Sequence, residues 1–507
     1  MTSHAMWPAF SPLQAHDRLL AATSDPVSQA MVATVLVVAF VLLIRESAHR
    51  VLVVFGAVAV LLAITYLTPY HLITFEGAKQ ALDLNVLLLL AGMMAVVGVL
   101  KTTGVFSWAA HRLLAGARGR PALIQALLIW FTGTVSALAD NVTTVIFLTP
   151  MALEVAARTR VSPAAYLLPM VMAANLGGTA TLIGDPPNIM IGSGAGLTFL
   201  DFVINLTLPV AAMMVGLRWF SDFWYRRELR PSGAGAEPAG ASPVIHDPVL
   251  LRWSLAISAG IFVGFMTHGA TGMPVAVPAL LGAAIMLIVQ DVLYLRRHRP
   301  THAERVHGLL DVIENEIEWP TLSFFAFLFI AVGAAVDTGL IDTLARGLEG
   351  VIEAGRQGLG LDPRGTLLLA ALVICWGGGV VSAVVDNIPF VAVAIPIVAR
   401  MTGELPGDTS VLWWALALGA CLGGNGSPIG ASANVTVIGL AERAGTRIGF
   451  GQFARFGIAV TAMTLLVSSL VLAGYVYAGR DPVLVIAGVI ALAGFAVPEA
   501  AARRRRR

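Results

Sequence analysis

Gly133-Thr-Val-Ser136-Ala-Leu-Ala-Asp140-Asn141 is read a second time, 246 residues on, as Gly379-Val-Val-Ser382-Ala-Val-Val-Asp386-Asn387. Each copy interrupts a long apolar stretch, 121–156 and 365–400, with serine, aspartate and asparagine. The same interval pairs Pro150 with Pro396, Leu176-Gly177-Gly178 with Leu422-Gly423-Gly424, Ile183-Gly184 with Ile429-Gly430, and Asn188 with Asn434. Upstream, Thr103-Gly104 answers Thr338-Gly339 at an interval of 235, so an insertion of 11 residues separates the two registers. Self-similarity sustained over this length means duplication.

Composition names the solvent. Of 507 residues, 57% are hydrophobic and 12% charged, with a mean hydropathy of +0.82, whereas soluble domains carry about 25% charged residues. A soluble globular chain is excluded. So is a disordered one, which needs polar residues to stay open. The formal charge of +2, from 32 basic and 30 acidic residues, comes with no Lys/Arg-rich helix interleaved with aromatics. Nucleic acid is therefore not an expected partner, and the lipid bilayer is. Cys375 and Cys421 fit neither a metal site nor a disulfide framework and read as small buried apolar residues. None of the ten histidines forms a pair at metal spacing within a span, and no cofactor is expected.

Apolar runs of roughly 17 to 22 residues, enough to cross about 30 Å of hydrocarbon, predict eleven crossings. They lie near 27–44, 50–68, 84–100, 164–195, 201–219, 249–267, 273–292, 320–337, 411–441, 456–476 and 482–496. The runs 164–195 and 411–441 are too long for one simple helix and have Gly/Pro/Asn-rich centres, so they read as broken helices. The stretches 121–156 and 365–400 read as re-entrant helical hairpins with polar tips at membrane depth. The expected fold is an all-α polytopic membrane protein of two repeats, 27–221 and 249–476. A cytoplasmic linker, 222–248, joins them; a segment 1–26 precedes them, and a final helix with a basic tail, 477–507, follows. Five crossings plus one hairpin per half make the repeats inverted.

Lys and Arg concentrate in alternate loops, at Arg45, Arg50, Lys101, Arg112, Arg158, Arg226, Arg296 and Arg443, and in the five-arginine end. The positive-inside rule then puts the amino terminus outside and the carboxyl terminus in the cytoplasm. The longer loop 338–364 falls on the opposite side. The first 26 residues lack a basic start followed by a short apolar core, so no cleavable signal is expected.

Irregular backbone at membrane depth survives only inside protein or beside water. The four polar breaks should therefore converge near the midplane, where paired broken helices mark a transporter's binding site. The candidate ion- or substrate-binding residues are Ser136, Asp140, Asn141, Thr143 and Thr144 of the first hairpin, and Gly178, Thr179, Thr181, Asp185 and Asn188 of the first broken helix. The second half adds Ser382, Asp386 and Asn387, then Gly424, Asn425, Ser427 and Asn434. Amides, hydroxyls, freed carbonyls and helix N-termini can replace an ion's hydration shell or hold an oxyanion. Asp140, Asp185 and Asp386 read as cation ligands or proton relays, or as N-caps, since two precede a half-helix and Asp185 precedes proline. Asn188 and Asn434 read as ligands or as structural amide clamps. The glycine pairs read as points of ligand approach or as packing contacts between helices, and Glu154 as an answer to nearby arginines.

The stretches Asp140-Asn-Val-Thr-Thr144, Asn175-Leu-Gly-Gly-Thr-Ala-Thr-Leu-Ile-Gly-Asp-Pro-Pro-Asn188 and Gly419-Ala-Cys-Leu-Gly-Gly-Asn-Gly-Ser-Pro-Ile-Gly-Ala-Ser-Ala-Asn434 resemble the ion transporter superfamily. Within it they are most similar to the P-protein and arsenical-permease-like branch, and the resemblance runs from about residue 84 onward. It implies inward and outward hairpins, a scaffold domain, and a homodimer working by elevator-like movement. Sodium/proton antiporters share a similar Asp-Asn-x-Thr-Thr hairpin. The Ser-Asn-Thr tips of dicarboxylate carriers are not reproduced, because Asp140 and Asp386 precede each asparagine.

The expected function is secondary active transport, coupled to H⁺ or Na⁺, of a small inorganic ion or oxyacid across the plasma (inner) membrane. Arsenite-type efflux and sodium/proton exchange are the leading cargoes, with Na⁺ at Asp140, Asn141, Asp386 and Asn387. A di- or tricarboxylate symporter and a passive ion channel are the alternatives. An enzyme is not expected: Gly184-Asp185 faintly resembles an intramembrane aspartyl protease, but a Tyr-Asp partner helix is missing.

Overall fold

In a computed structural model of the chain, residues 25–45, 48–117, 119–229, 244–298 and 312–504 are described. The first half contains α1 (Pro26–Ile44), α2 (Arg50–Leu67), α3 (Phe75–Ala81), α4 (Leu84–Thr102), α5 (Val105–Ala115), α6 (Pro121–Ser136) and α7 (Asn141–Thr159). It continues with α8 (Ala164–Thr179), α9 (Pro186–Ala195) and α10 (Phe199–Trp224). The second half contains α11 (Pro248–Thr271), α12 (Ala276–His298), a π-helical turn Val312–Glu316, α13 (Trp319–Asp337), α14 (Leu340–Leu359), α15 (Pro363–Ser382) and α16 (Asn387–Glu404). Then come α17 (Ser410–Gly423), a 3-10 turn Gly424–Gly426, α18 (Ser432–Arg443), α19 (Phe450–Tyr477) and α20 (Arg480–Arg504). No strand occurs among the described residues, and ten of their helices are long and apolar enough to cross a bilayer. The segment 1–24, the Pro231–Pro243 core of the linker and the last three arginines lie outside the described residues.

Acids at the ends of apolar runs start the helices. Asp25 accepts from Val27 and Ser28 amides before Pro26 of α1, and Asp247 accepts from Val249 and Leu250 before Pro248 of α11. Proline at the first helical position needs no amide partner, so acid plus proline makes a sharp entry. The interval 338–364, expected as a loop, holds α14 instead. Its buried Ile341, Ala345 and Ile352 recur at helical spacing, with Arg346 and Arg356 exposed on the other side, an amphipathic pattern.

Both hairpins and both breaks form where the sequence interrupts its apolar runs: α6 and α7 turn at 137–140, α15 and α16 at 383–386. Helix α8 stops at Thr179 and α9 resumes at Pro186, while α17 and α18 are separated by 424–431. Packing partners exchange between the halves. Helix α2 lies on α13 and α12 on α4; α7 lies on α18 and α16 on α9. Each pair maps onto the other under the sequence repeat, so the two halves clasp each other reciprocally. The last helix, α20, runs along α10 of the first half, where Gly494 lies against Val215.

Candidate functional site

The hairpin tips are tied to the broken helices by the same bonds in each half. Ser136 Oγ donates to Ala174 O at 2.7 Å and Ser382 Oγ to Ala420 O at 2.6 Å. Thr181 Oγ1 donates to Ala137 O and Ser427 Oγ to Ala383 O, both at 2.5 Å. Asn188 Nδ2 gathers the carbonyls of Gly178, Thr179 and Thr181 at 2.9–3.2 Å. Asn434 Nδ2 gathers those of Gly424 and Ser427 at 2.8 and 2.9 Å. These asparagines hold the carbonyls that unwinding frees, a need that is strict away from water. A Cβ on Gly178 would stand 2.7 Å from Gly184 O, and one on Gly424 2.9 Å from Gly430 O. The bare backbone thus lets each break fold onto itself.

The three acids differ. Asp140 Oδ1 accepts from Thr143 N at 2.8 Å, and Thr144 Oγ1 donates to Asp140 O. Asp386 Oδ1 accepts from Ile388 N at 3.2 Å, because Pro389 stands where Thr143 stands in the first half and has no N–H to give. Both are half-buried and cap their helices. Asp185 occupies the N-cap position of α9 yet caps nothing. Its carboxyl is 2% exposed and turns to the other half, where Asn387 Nδ2 donates to Oδ2 at 3.3 Å. Asn141 and Cys421 adjoin the same carboxyl. The repeat places Ala431 opposite Asp185, so this acid exists once.

A cavity of about 620 Å³ opens beside these groups, lined by Asp140, Asn141, Thr143, Asp185 and Asp386 of the expected residues. The other twelve stand behind its wall. Ser136, Thr144, Thr181, Ser382 and Ser427 bond backbone carbonyls, as does Thr179, whose hydroxyl reaches Asn175 O at 2.8 Å. Gly178, Gly424, Asn188 and Asn434 shape the breaks, and Asn387 and Asn425 bond across the halves. Arg50, Lys101, Glu316 and Glu318 also line it; they flank helix ends, so the pattern of midplane polar breaks does not point to them. These cations are already engaged. Lys101 pairs with Glu316 at 2.9 Å, and Arg50 donates to Thr321 Oγ1 at 2.9 Å with its guanidinium 5.6 Å from the Phe324 ring centroid. Among the described residues no ion pair reaches Asp140, Asp185 or Asp386, and Arg50 acts on Asp386 only at a distance. Nor do three or more His, Cys, Asp or Glu side chains gather there at metal-holding distance. Glu154 pairs with Arg158 at 2.6 Å.

Asn175 opens the Asn175–Asn188 motif, and nothing in its local spacing marks it as a site residue. Its amide is 1% exposed and accepts from Asn141 Nδ2 at 3.2 Å, while donating to Asn425 Oδ1 at 2.8 Å and Asn434 Oδ1 at 3.1 Å. Cys421 stands at the equivalent position of the second half, its thiol 3.5 Å from Asn188 Oδ1.

A family model described as "Citrate transporter" (CitMHS) matches residues 40–419. A transporter of Mycobacterium tuberculosis, Rv2684, is 36% identical over 87% of this chain and 96% of its own length. The 46 kDa membrane protein of Mycobacterium leprae is 34% identical over 87% and 97%. The P protein of Sus scrofa is 28% identical over 90% of this chain and 60% of its own. Among solved structures, the YdaH transporter of Alcanivorax borkumensis shares the fold at a TM-score of 0.51 and 16% identity, over 86% of this chain and all of the other.

Proposed function

Since the chain belongs to the citrate transporter (CitMHS) family and is a multi-pass membrane transporter, we propose that it is a secondary active carrier coupled to Na⁺ or H⁺. One observation carries the reading: Asp140, Asp185 and Asp386 share a cavity, and among the described residues no basic side chain pairs with them. An ionised carboxylate away from water is costly until a cation or proton neutralises it. Asp185, which spends no oxygen on capping, is the central ligand in this proposal, with Asp140 and Asp386 beside it, the Asn141 amide completing the shell and Asn387 holding the Asp185 carboxyl from behind the cavity wall.

The proposed cargo is a small inorganic ion or neutral oxyacid, in sodium/proton exchange or arsenite-type efflux. An acid-walled cavity disfavours a polyanion, whereas neutral arsenious acid needs only hydroxyls and amides. The family's description favours a second reading, a citrate-like carboxylate taken up with cations that cancel its charge. Under either reading the halves are inverted repeats in the plasma (inner) membrane, with the amino terminus outside and the carboxyl terminus cytoplasmic. Subunits pair as a homodimer, and the hairpins and broken helices move together as an elevator.

The test is reconstitution in vesicles holding a pH dye, with gradients of Na⁺, arsenite, phosphate and citrate imposed in turn. Proton movement in fixed ratio to Na⁺ or arsenite flux is the expected result. Citrate uptake that requires cations selects the second reading; fast flux with no fixed ratio to any cation defeats the carrier proposal.

A further inference from the structure

One pair of polar bonds between the two halves is equivalent under the repeat, and its two members differ in reach. Asn175 donates to Asn434 Oδ1 of the other half, and its counterpart Cys421 donates to Asn188 Oδ1. Asn175 makes two further bonds. It accepts from Asn141, whose side chain lines the cavity, and it donates to Asn425 within the second half's break. A thiol can extend neither to two acceptors nor accept firmly from an amide, so the amide hub exists on one side only.

We infer that Asn175 is a positioning residue that ties cation occupancy at Asn141 to the second half's break, an inference that rests on the cation-coupled reading above. The geometry is a continuous chain of three amides, from a cavity-lining group of the first hairpin to the loop 424–427 of the second half. Asn141 has one amide nitrogen and one oxygen to orient. When its oxygen faces a cation, its nitrogen must face a fixed acceptor, and Asn175 Oδ1 supplies it. Asn175 is fixed in turn by its two bonds across the halves. At the far end, Asn425 Nδ2 is fully buried and has no partner. A buried donor left open is costly, so a second arrangement of this chain that fills it lies close in free energy. That is what an element shifting between two transport states requires.

The repeat supplies the experiment. Asn175→Cys installs the side chain that the equivalent position already accommodates. Adding Cys421→Asn moves the hub to the other side, where Asn387, Thr179 and Asn188 offer equivalent partners. The full chain is reconstituted, and initial rates are read against Na⁺ concentration and against pH, separating half-saturation from maximal rate. The single variant should raise the half-saturating cation concentration about tenfold, within the usual range for coupled sites, with little change in maximal rate. The double variant should recover most of that affinity. An unchanged half-saturation in Asn175→Cys overturns the inference, as does a lowered melting temperature and maximal rate with half-saturation unmoved, or a double variant no better than the single. If the unaltered chain shows no gradient-driven flux at all, the transport reading itself fails, and that is seen before any variant is compared.

Discussion

Gly177 is the point where the broken helix α8 and the hairpin helix α6 touch backbone to backbone, and alanine there should be among the most damaging single-methyl additions in the chain. The new Cβ would lie 2.0 Å from Gly133 O and 2.6 Å from Gly133 C and Cα. Ordinary contact begins near 3.4 Å, so along that line the helices must part by about 1.4 Å, a shift that backbone cannot absorb by changing rotamer. Overpacking of this kind costs ~1–3 kcal/mol. The same displacement strains the Ser136–Ala174 and Thr181–Ala137 bonds at 2.7 and 2.5 Å, each worth ~1 kcal/mol. The helix propensity gained on replacing glycine, at most ~1 kcal/mol, is the smaller effect, leaving a net loss of about 2–4 kcal/mol. Gly423→Ala should behave alike but more mildly, since its Cβ meets Gly379 O at 2.5 Å, and Gly260→Ala, with nothing within 4 Å, should be neutral or slightly stabilising. Thermal unfolding of the detergent-purified variants should rank Gly177→Ala lowest, then Gly423→Ala, then the unaltered chain and Gly260→Ala. Gly177→Ala melting together with Gly260→Ala would refute the close-approach argument outright.

Three further outcomes are expected. Asp185→Asn keeps the shape and an acceptor for Asn387 but removes the charge, so the protein should fold while cation affinity falls roughly ten- to hundredfold, the worth of a charged hydrogen bond. Asp140→Asn and Asp386→Asn distinguish capping from ion binding, because asparagine caps a helix about as well as aspartate. If either variant transports at the unaltered rate with unaltered cation dependence, that acid serves its helix alone. Arg400 of α16 bonds Asp342 and lies 3.6 Å from Glu349 on α14 and 3.4 Å from Glu404. Arg400→Met should therefore loosen the amphipathic helix from the hairpin by ~1–3 kcal/mol at neutral pH. Burial and then the Glu404 charge already hold the Glu349 carboxyl above its usual range, and Arg400 opposes this. A raised carboxyl favours the folded state below its unfolded pKa and loses that contribution as pH rises through its folded value. The variant's deficit should thus shrink on acidification from neutral toward pH ~4, the ordinary glutamate range, and a deficit that is flat with pH would contradict the assignment.

The duplication made both hairpins and both breaks legible before any coordinates, because a polar interruption of an apolar run admits few solutions in lipid. Gly177 over Gly133, Ser136 on Ala174 and Asn188 over its break are each repeated 246 residues later. Local spacing does not, however, say which way a side chain faces. Asp140, Asp185 and Asp386 look alike in sequence, each before a half-helix, and only the packing of α9 against α16 turns Asp185 across to Asn387. Asn175 was hidden for the same reason: its partners lie 250 and 259 residues away. Helix α14 reads as a loop by mean hydropathy, whereas the helical period of Ile341, Ala345 and Ile352 is what distinguishes it.

The single carboxyl at Asp185 also bears on why the duplicated unit drifted apart. An exact repeat would set a second acid at Ala431, close to the same shared wall, and two carboxylates so placed would oppose each other's ionisation. One would hold a proton constantly, and the pair would take up charge in two unequal steps. Alanine at 431 leaves one acid held by an amide from each half, Asn141 and Asn387. The asymmetry continues outward, with Asn175 facing Cys421 and Thr143 facing Pro389 across the repeat. All three differences put the richer hydrogen-bonding residue in the first half. Under the carrier reading, the first half therefore binds the cation and the second responds to it, and exchanging the residues at 175 and 421 transfers part of that role from one half to the other.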